Sequence, residues 1–259
     1  MGLDVYAGTL TRYYSRNWKN AVQQEAEANG KKYVTVNPGG GDTGPITNPS
    51  EIKEIRDSIY EWQDYLAKDV FKSCTPPLWD ENMECDYFTD RIGFEAMGAL
   101  TMLAACKHYN ATLPEFVEPG WCAYDEPVVE KGMSEKVPNS LILAADIWLP
   151  MKEKPIFSTM TPVGDEMVVS TVAELKQELD DLNSRVWKAD LDTILSWRDD
   201  KYYNAITTVT VEKRFFGLKN RKHETVKFRT EELAQCAFSI MYQAVLFAEE
   251  HKVSIVLDC

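Results

Sequence analysis

Two long segments of almost uninterrupted apolar character constrain the fold of this chain most. Residues 92–109 are apolar nearly all round, and residues 231–251 are almost as dense in apolar side chains. A helix with so little polar surface is stable only when other elements surround it. We therefore expect both segments to form helices that are largely buried, with the first in the middle of the fold.

Two further segments have the period of amphipathic helices. The first has a clear start, because Asn48 can accept an amide hydrogen bond as N-cap and Pro49 has the fixed φ of a first turn. The second starts at Ser170 and either continues or breaks and restarts before Trp197. A shorter helix is predicted at residues 16–29. The apolar stripes of the two long helices are Ile52, Ile55, Ile59, Trp62, Leu66 and Val70, and Val172, Leu175, Leu179, Leu182 and Val186.

Short β-branched or alternating runs predict the strands. Because helices and strands are mixed without strict βαβ alternation, we predict an α+β fold, with a mixed or antiparallel sheet packed against several long amphipathic helices. Residues 1–259 are expected to form a single domain, and any division of it would fall near residues 112–140. The predicted strands lie at residues 3–10, 32–37, 141–149, 156–160, 167–169, 206–216, 225–228 and 253–257.

The start of the chain, its apolar stretches and its cysteines indicate the compartment. Residues 1–6 carry an acid where a secretory signal needs a basic segment followed by an apolar run. The longest apolar stretch, residues 92–106, is too short to span a bilayer. The six cysteines show none of the C-x-x-C spacing of zinc or redox sites. We expect a cytoplasmic protein with free thiols and no membrane contact.

The charge balance excludes one class of partner. The chain has 28 Lys and Arg against 41 Asp and Glu, a formal net charge of −13. Binding to a phosphate backbone needs a basic stripe that releases counterions, so we do not expect nucleic acid as a partner. Residues 51–150 alone hold 19 acids and 8 bases. The acidity is therefore local, and it favours a basic protein partner, which it attracts at long range.

The densest acidic stretch is a loop predicted at residues 79–90, which holds five acids and no base. Aromatic and Met side chains alternate with these acids, as in protein-binding surfaces where apolar anchors are buried and carboxylates select a basic partner. Two alternatives remain open: a solvated loop that its aromatics anchor to the core, and a divalent metal site without the glycine of a calcium loop. The predicted partner-binding residues are Trp79, Asp80, Glu81, Glu84, Asp86, Tyr87 and Asp90, and the metal alternative uses Asp80, Glu84, Asp86 and Asp90.

Residues 213–229 have the opposite character, with seven Lys and Arg against Glu224. We expect a hairpin across a basic turn at residues 217–223. Phe215 and Phe216 are too few aromatics for the stacking platform of a nucleic-acid site. The segment therefore predicts a basic tip that balances the acidic body or belongs to an interface.

Catalytic motifs are absent from the sequence. A Ser or Cys nucleophile needs a base, and only His108, His223 and His251 could supply one as histidine. The motifs G-x-S-x-G, H-E-x-x-H and the P-loop lysine do not occur. The glycine-rich run at residues 38–44 precedes Pro45 and lacks a Gly-Lys-Ser/Thr helix start, which favours a connector. We predict no catalytic residue, no metal and no cofactor, and hence no enzyme.

The start of the chain, MGLDVYAGTLTRYY, is followed by Trp18 and by a later stretch with Ser170, Leu175, Glu178 and Leu179. These features resemble a family of uncharacterised bacterial cytosolic proteins, of the type found as immunity proteins of toxin systems. The resemblance covers the first fourteen residues well and the rest loosely. It implies a protein that binds one cognate toxin and blocks its active site. The alternatives are a carboxylate- or metal-dependent hydrolase that reverses a toxin modification, and a structural protein.

Overall fold

The computed structural model describes residues 2–32, 44–215 and 218–258. Helices and strands are mixed along these residues without strict alternation, which confirms the α+β fold class. The α-helices are α1 (Leu10–Tyr14), α2 (Ala21–Ala28), α3 (Pro49–Asp69), α4 (Phe94–His108), α5 (Pro127–Ser134), α6 (Ser140–Leu143), α7 (Val172–Val186), α8 (Leu191–Asn204) and α9 (Thr230–His251). The strands are β1 (Gly2–Gly8), β2 (Phe88–Gly93), β3 (Phe116–Val117), β4 (Ile147–Leu149), β5 (Phe157–Met160), β6 (Glu166–Thr171), β7 (Ile206–Phe215), β8 (Leu218–Arg229) and β9 (Ser254–Asp258).

The strands form two sheets. The larger has six strands in the order β2-β1-β9-β4-β6-β5, and the smaller has three in the order β3-β8-β7. In the larger sheet β4 and β6 are parallel, whereas the other neighbours are antiparallel. The smaller sheet is antiparallel throughout. The prediction of a mixed or antiparallel sheet is therefore confirmed.

Successive residues of β1 lie on opposite faces of the larger sheet. Val5 and Ala7 belong to a large core with residues of α4, α7, α8 and α9. Tyr6 belongs to a smaller core with residues of α1 and α3. The acidic helix α3 therefore lies on the side of the sheet opposite to α8 and α9.

The two apolar segments form the centre of the large core, as their composition predicts. Helices α4 and α9 pack against each other, and both are buried over most of their length. Thr101, a polar residue in the middle of α4, donates a hydrogen bond of 3.0 Å to the Leu141 carbonyl. A buried hydroxyl needs such a partner, because an unsatisfied one costs free energy on folding.

Helices α3 and α7 begin close to their predicted starts. The Asn48 side chain accepts a hydrogen bond of 3.0 Å from the Ser50 amide, and Pro49 is the first helical residue. The cap of α7 is Thr171, one residue after the predicted start, and its hydroxyl accepts from the Glu174 amide at 3.2 Å. After α7 the chain breaks and restarts as α8.

The predicted strand at residues 141–149 is wrong over its first half. The Asn139 side chain accepts a hydrogen bond of 3.0 Å from the Ile142 amide, which caps the short helix α6. Ala144 then ends the helix in the left-handed region with φ 49°. Of the predicted strand, only β4 forms. The prediction failed because a short apolar run is compatible with a buried helix as well as with a buried strand.

Other elements differ in their bounds. The predicted helix at residues 16–29 is only α2, which starts at a capping box between Asn20 and Gln23, and α1 precedes it. Strand β2 begins inside the predicted loop 79–90, and α5 lies within residues 112–139, for which we expected a long connection over the surface. The predicted turn at 217–223 belongs to β8 from Leu218 onward. The predicted strand 32–37 and connector 38–44 lie outside the described residues, apart from Lys32 and Gly44.

None of the helices in the described ranges is both long and apolar enough to cross a membrane. Five cysteines lie in these ranges and carry free thiols, and two of them, Cys106 and Cys236, are buried.

Candidate functional site

The residues predicted to bind a partner divide into two groups in the structure. Asp80, Glu84 and Asp86 are exposed, and Tyr87 is half-buried. The other three, Trp79, Glu81 and Asp90, are only 6%, 1% and 5% exposed. The accessible members of the predicted set are thus three carboxylates and one aromatic ring, while the buried members hold the loop in place.

Glu81 attaches the loop to α1. Its carboxylate accepts hydrogen bonds from the Thr11 amide at 2.7 Å, the Leu10 amide at 3.3 Å and the Trp79 Nε1 at 2.7 Å. Two of these donors are free amides in the first turn of α1, which a carboxylate satisfies well. Burial raises the pKa of Glu81, and the hydrogen bonds oppose this effect. The side chain serves the fold and is not accessible to a partner.

Trp79 and its neighbours attach the loop to α3. The Gln63 side chain accepts hydrogen bonds from the Leu78 amide at 2.8 Å and the Trp79 amide at 3.3 Å, and it donates to the Trp79 carbonyl at 3.2 Å. The Trp79 ring packs edge-on against Trp62, with 6.1 Å between the ring centroids. The next residue, Asp80, is thereby held beside α3.

Asp90 attaches the end of the loop to α8. It lies in β2, and both of its oxygens accept hydrogen bonds from the Arg198 guanidinium, one of them at 3.1 Å. The Arg91 amide donates to the same carboxylate at 2.7 Å. A planar fork of donors facing a carboxylate is a strong pair, and it leaves Asp90 no free side for a partner or a metal.

The exposed carboxylates of the loop continue onto α3. The Tyr60 hydroxyl lies 3.5 Å from the Asp80 carboxylate, and Asp57 and Asp64 flank Tyr60 at helical spacing. Residues 49–86 expose nine carboxylates against three lysines. We call these carboxylates the acidic surface: Glu51, Glu54, Asp57, Glu61, Asp64, Asp69, Asp80, Glu84 and Asp86.

The sequence prediction missed the α3 part of this surface. Its signal was present, because the acids of α3 occupy positions between the apolar stripe residues. That pattern is also the ordinary one for a solvated helix face. The contact of Tyr60 with Asp80, together with the hydrogen bonds of Gln63 to the loop, shows that helix and loop share one surface.

A cleft of about 930 Å³ lies beside the loop, and Tyr87 is the predicted residue that reaches it. Tyr13 and Trp18 stack in its wall with centroids 5.9 Å apart, and the Arg12 guanidinium lies 4.9 Å from the centroid of Tyr87. The Lys19 ammonium, also in the wall, is held by Glu27 at 2.7 and 2.8 Å. The described lining residues include no Ser, Thr, Cys or His, so the cleft presents no nucleophile with a histidine base.

One thiol does lie near a histidine. The Cys85 sulfur is 3.8 Å from Nδ1 of His251, whose ring stacks on Phe247 with centroids 4.1 Å apart. Burial raises the pKa of the Cys85 thiol. A catalytic cysteine needs a lowered pKa, so this pair lacks the electrostatics of an activated nucleophile.

Glu178, a residue of the family resemblance, is a half-buried carboxylate with a similar set of donors. It accepts hydrogen bonds from the Ser140 amide at 2.6 Å, the Ser140 hydroxyl at 2.5 Å and the Leu141 amide at 3.2 Å. Burial raises its pKa to about 7. Its partners are the first residues of α6, so it joins α7 to α6 as Glu81 joins the loop to α1.

Within the described ranges, no group of three or more His, Cys, Asp or Glu side chains could hold a metal ion.

Comparison with known proteins found no matching family model, no similar curated protein and no similar solved structure.

Proposed function

We propose that this chain is a non-catalytic protein that binds a basic toxin domain and blocks it, as an immunity protein does, with the acidic surface as the contact. The observation that carries the proposal is the continuity of nine exposed carboxylates across α3 and the adjoining loop. The resemblance of the first fourteen residues to immunity-type proteins supports the same function.

Hydrogen bonds hold the start of the loop, next to Asp80 of the acidic surface, in a fixed position on the fold. Gln63 and Glu81 hold the loop through six hydrogen bonds: four come from backbone amides, one comes from the Trp79 ring N–H, and one is donated to the Trp79 carbonyl. A surface that is ordered before binding loses little conformational entropy in the complex. Carboxylates on such a surface speed the arrival of a basic partner and select it over neutral ones.

Apolar anchors accompany the carboxylates. Tyr65 on α3 is 51% exposed, and it lies four residues from both Glu61 and Asp69. Tyr87, at the other end of the surface, is half-buried. Tyrosine is enriched among the residues that dominate binding energy, because it contributes a large area and a hydroxyl. Tyr65 therefore takes the anchor role that the sequence prediction assigned to the buried Trp79.

The test uses the catalytic domain of a toxin encoded next to this gene, purified as an inactive variant. Calorimetry measures its affinity for the wild-type chain and for a variant with four carboxylates neutralised. We expect the dissociation constant of the variant to rise at least about tenfold, because several charge contacts are lost together. The four substitutions are Asp64→Asn, Asp80→Asn, Glu84→Gln and Asp86→Asn.

A matched control removes four exposed carboxylates elsewhere and so keeps the net charge equal. We expect this control to bind like the wild type. Equal losses in both variants would contradict the acidic surface as the contact, and a neighbouring toxin domain that does not bind the wild-type chain would contradict the function itself. The control substitutions are Glu130→Gln, Asp181→Asn, Glu249→Gln and Glu250→Gln.

A further inference from the structure

The cleft beside the loop lies where three strands of the large sheet meet α1 and the start of α2. Asp4 of β1, Met167 of β6 and Asp258 of β9 line it. Asp4 is two residues from Tyr6 and therefore lies on the face of the sheet that packs against α1 and α3. The volume of about 930 Å³ falls in the range of small-molecule sites, about 300–1,000 Å³. The described residues thus leave room for a ligand at this place.

Aromatic rings form one wall of the cleft. Tyr13 and Trp18 stack with an interplanar angle of 27°, and the Tyr6 ring lies 5.5 Å from the first and 4.9 Å from the second, between centroids. Tyr6 is fully buried, and its hydroxyl donates a hydrogen bond of 2.9 Å to the Thr9 carbonyl. Tyr13, Trp18 and Tyr87 are half-buried. The wall is therefore an apolar platform that the core holds in place and that remains partly accessible.

The charged side chains of the lining carry both signs. Three carboxylates and two cations belong to the described lining: Asp4, Asp165, Asp258, Arg16 and Lys19. An anion that enters the cleft meets carboxylates, and a cation meets Arg16 and Lys19, so neither kind of ion finds a lining of purely opposite charge. A neutral ligand with several hydrogen-bonding groups meets no such repulsion and can use both the donors and the acceptors.

Part of this polar lining is fixed by contacts within the chain. The Asp4 carboxylate accepts a hydrogen bond of 2.9 Å from the Asn20 side chain and lies 3.8 Å from the Arg91 guanidinium. Asn20 also forms the capping box of α2 with Gln23. These side chains therefore hold β1 and the start of α2 together and fix the shape of the cleft.

Asp165 is the exposed carboxylate of the lining. It lies in the turn between β5 and β6, where Gly164 has a φ of 92° that favours glycine. The Thr161 amide donates a hydrogen bond of 2.8 Å to the Asp165 carbonyl and closes this turn. An ordered turn thus presents a carboxylate that accepts hydrogen bonds from a ligand.

We propose that the cleft is a binding site for a neutral saccharide. One face of a pyranose ring presents C–H groups, which pack on an aromatic ring as other apolar groups do. The rim of the same ring carries hydroxyls, and each of them donates and accepts hydrogen bonds. Tyr13 and Trp18 supply the platform for the C–H face, and Asp165 accepts from the hydroxyls at the rim.

The site goes beyond the proposed function. Among the described residues, none of the nine carboxylates of the acidic surface lines the cleft. The saccharide and the basic partner therefore use different charged residues of the chain, and each interaction is tested without the other.

The experiment is saturation-transfer difference NMR on the full chain, with neutral disaccharides as probes. Maltose, cellobiose, lactose and N,N′-diacetylchitobiose are each titrated into the millimolar range. We expect at least one to bind with a dissociation constant of about 1 mM or below. The strongest saturation is expected on the C–H protons of one ring face, because this face contacts the aromatic wall. Binding of none of the four would overturn the inference.

Two substitutions in the lining test where the probe binds. Trp18→Leu removes stacking surface, and Asp165→Ala removes the exposed acceptor. Each is expected to raise the dissociation constant of the bound disaccharide about tenfold, because one stacking contact or one charged hydrogen bond is lost. Since Asp165 is exposed, the second variant keeps the test decisive if the first does not fold.

Matched controls replace a half-buried tryptophan and an exposed aspartate that do not line the cleft. These controls are Trp121→Leu and Asp192→Ala, and both are expected to bind the disaccharide like the wild type. Equal affinity of the lining variants and the controls would overturn the inference.

Charged sugars and nucleosides test the class of ligand. Glucosamine, which is protonated in mildly acidic buffer, and the anion glucuronate are expected to bind more weakly than N-acetylglucosamine, because each meets like charges in the lining. Tighter binding of either charged sugar, or of adenosine or uridine, than of every neutral sugar would overturn the assignment to a neutral saccharide.

The result is independent of the toxin experiment. A chain that binds a disaccharide in the cleft but binds no neighbouring toxin retains this inference and loses the proposed function. A chain that binds the toxin through the acidic surface but none of the disaccharides has the opposite outcome.

Discussion

Glu81 carries a carboxylate to a place that water hardly reaches, and three donors surround it. Removing a buried acceptor leaves its donors unsatisfied, and each such donor costs about 1–3 kcal/mol. Glu81 is therefore a residue on which the attachment of the loop depends.

The variant Glu81→Gln tests this role. Glutamine has the shape of glutamate but only one acceptor oxygen. Its side-chain NH2 group, itself a donor, would then face at least one of the donors that bind Glu81. We expect the free energy of unfolding in urea to fall by about 1–3 kcal/mol, whereas Glu84→Gln on the exposed part of the loop leaves it unchanged. Equal stability of Glu81→Gln and wild type would contradict the role.

Glu178 links stability to pH. Its pKa is about 7 in the folded chain, against an ordinary value of 4.5, so the folded state holds this proton more tightly than the unfolded state. The contribution of Glu178 to the free energy of unfolding is fully present below about pH 4.5. It decreases as the pH rises to about 7, by on the order of 3 kcal/mol in total.

The measurement compares the free energy of unfolding of wild type with that of Glu178→Gln. Glu81 and other buried carboxylates also make stability depend on pH, but they do so equally in both proteins and cancel in the difference. We expect the difference in unfolding free energy between the two to change between about pH 4.5 and pH 7. A difference that stays constant over this range would show that Glu178 ionises normally.

At the scale of elements, the Asp90–Arg198 pair joins β2 of the large sheet to α8. The Asp90 side chain is 7% exposed and the Arg198 side chain 43% exposed. Water therefore screens the pair in part, and its contribution to the free energy of unfolding lies between that of a surface salt bridge and that of a buried one.

A double-mutant cycle with Asp90→Asn and Arg198→Met measures this connection. Arg198→Met alone leaves a buried carboxylate without its main partner, and we expect a loss on the order of 2 kcal/mol in unfolding free energy. The double variant is expected to lose less than the sum of the two single variants. Additive losses would show that the two side chains are not coupled.

Sequence reasoning predicted the elements whose signals are local. The start of α3 depends on Asn48 and Pro49, which are neighbours of the helix they begin, and α4 follows from its own apolar composition. The boundary between α6 and β4 was missed because Leu141, Ile142 and Leu143 fit a buried strand as well as a helix.

The candidate site was harder to predict, because its burial depends on distant partners. Glu81 is buried by Thr11, seventy residues earlier, and Asp90 by Arg198, 108 residues later. Nothing near either acid in the sequence distinguishes it from the exposed Glu84. Only the fold separates the acids that hold the loop from those that face solvent.

At the scale of the whole molecule, charge is unevenly distributed along the chain: residues 206–229 carry a net charge of +5, and the rest of the chain, which we call the body, carries −18. The body therefore attracts a basic partner before contact, which raises the association rate constant. Salt screens this attraction over a distance of about 10 Å at 0.1 M.

If the proposed partner is a basic toxin domain, we expect its association rate constant with this chain to fall about tenfold or more when NaCl rises from about 50 to about 500 mM. Stopped-flow fluorescence measures it, and the variant with four neutralised carboxylates should show a shallower dependence. An association rate that is insensitive to salt would contradict electrostatic attraction by the body.

The strand order of the large sheet determines when the sheet can be completed during synthesis. Strand β9, residues 254–258, lies between β1 and β4 and joins the β2-β1 pair to the other three strands. Until the ribosome has released these residues, β1 and β4 have open edges that can pair with other chains. Contacts between strands so distant in sequence also form slowly. The nascent chain is therefore expected to depend on chaperones until its translation has passed β9.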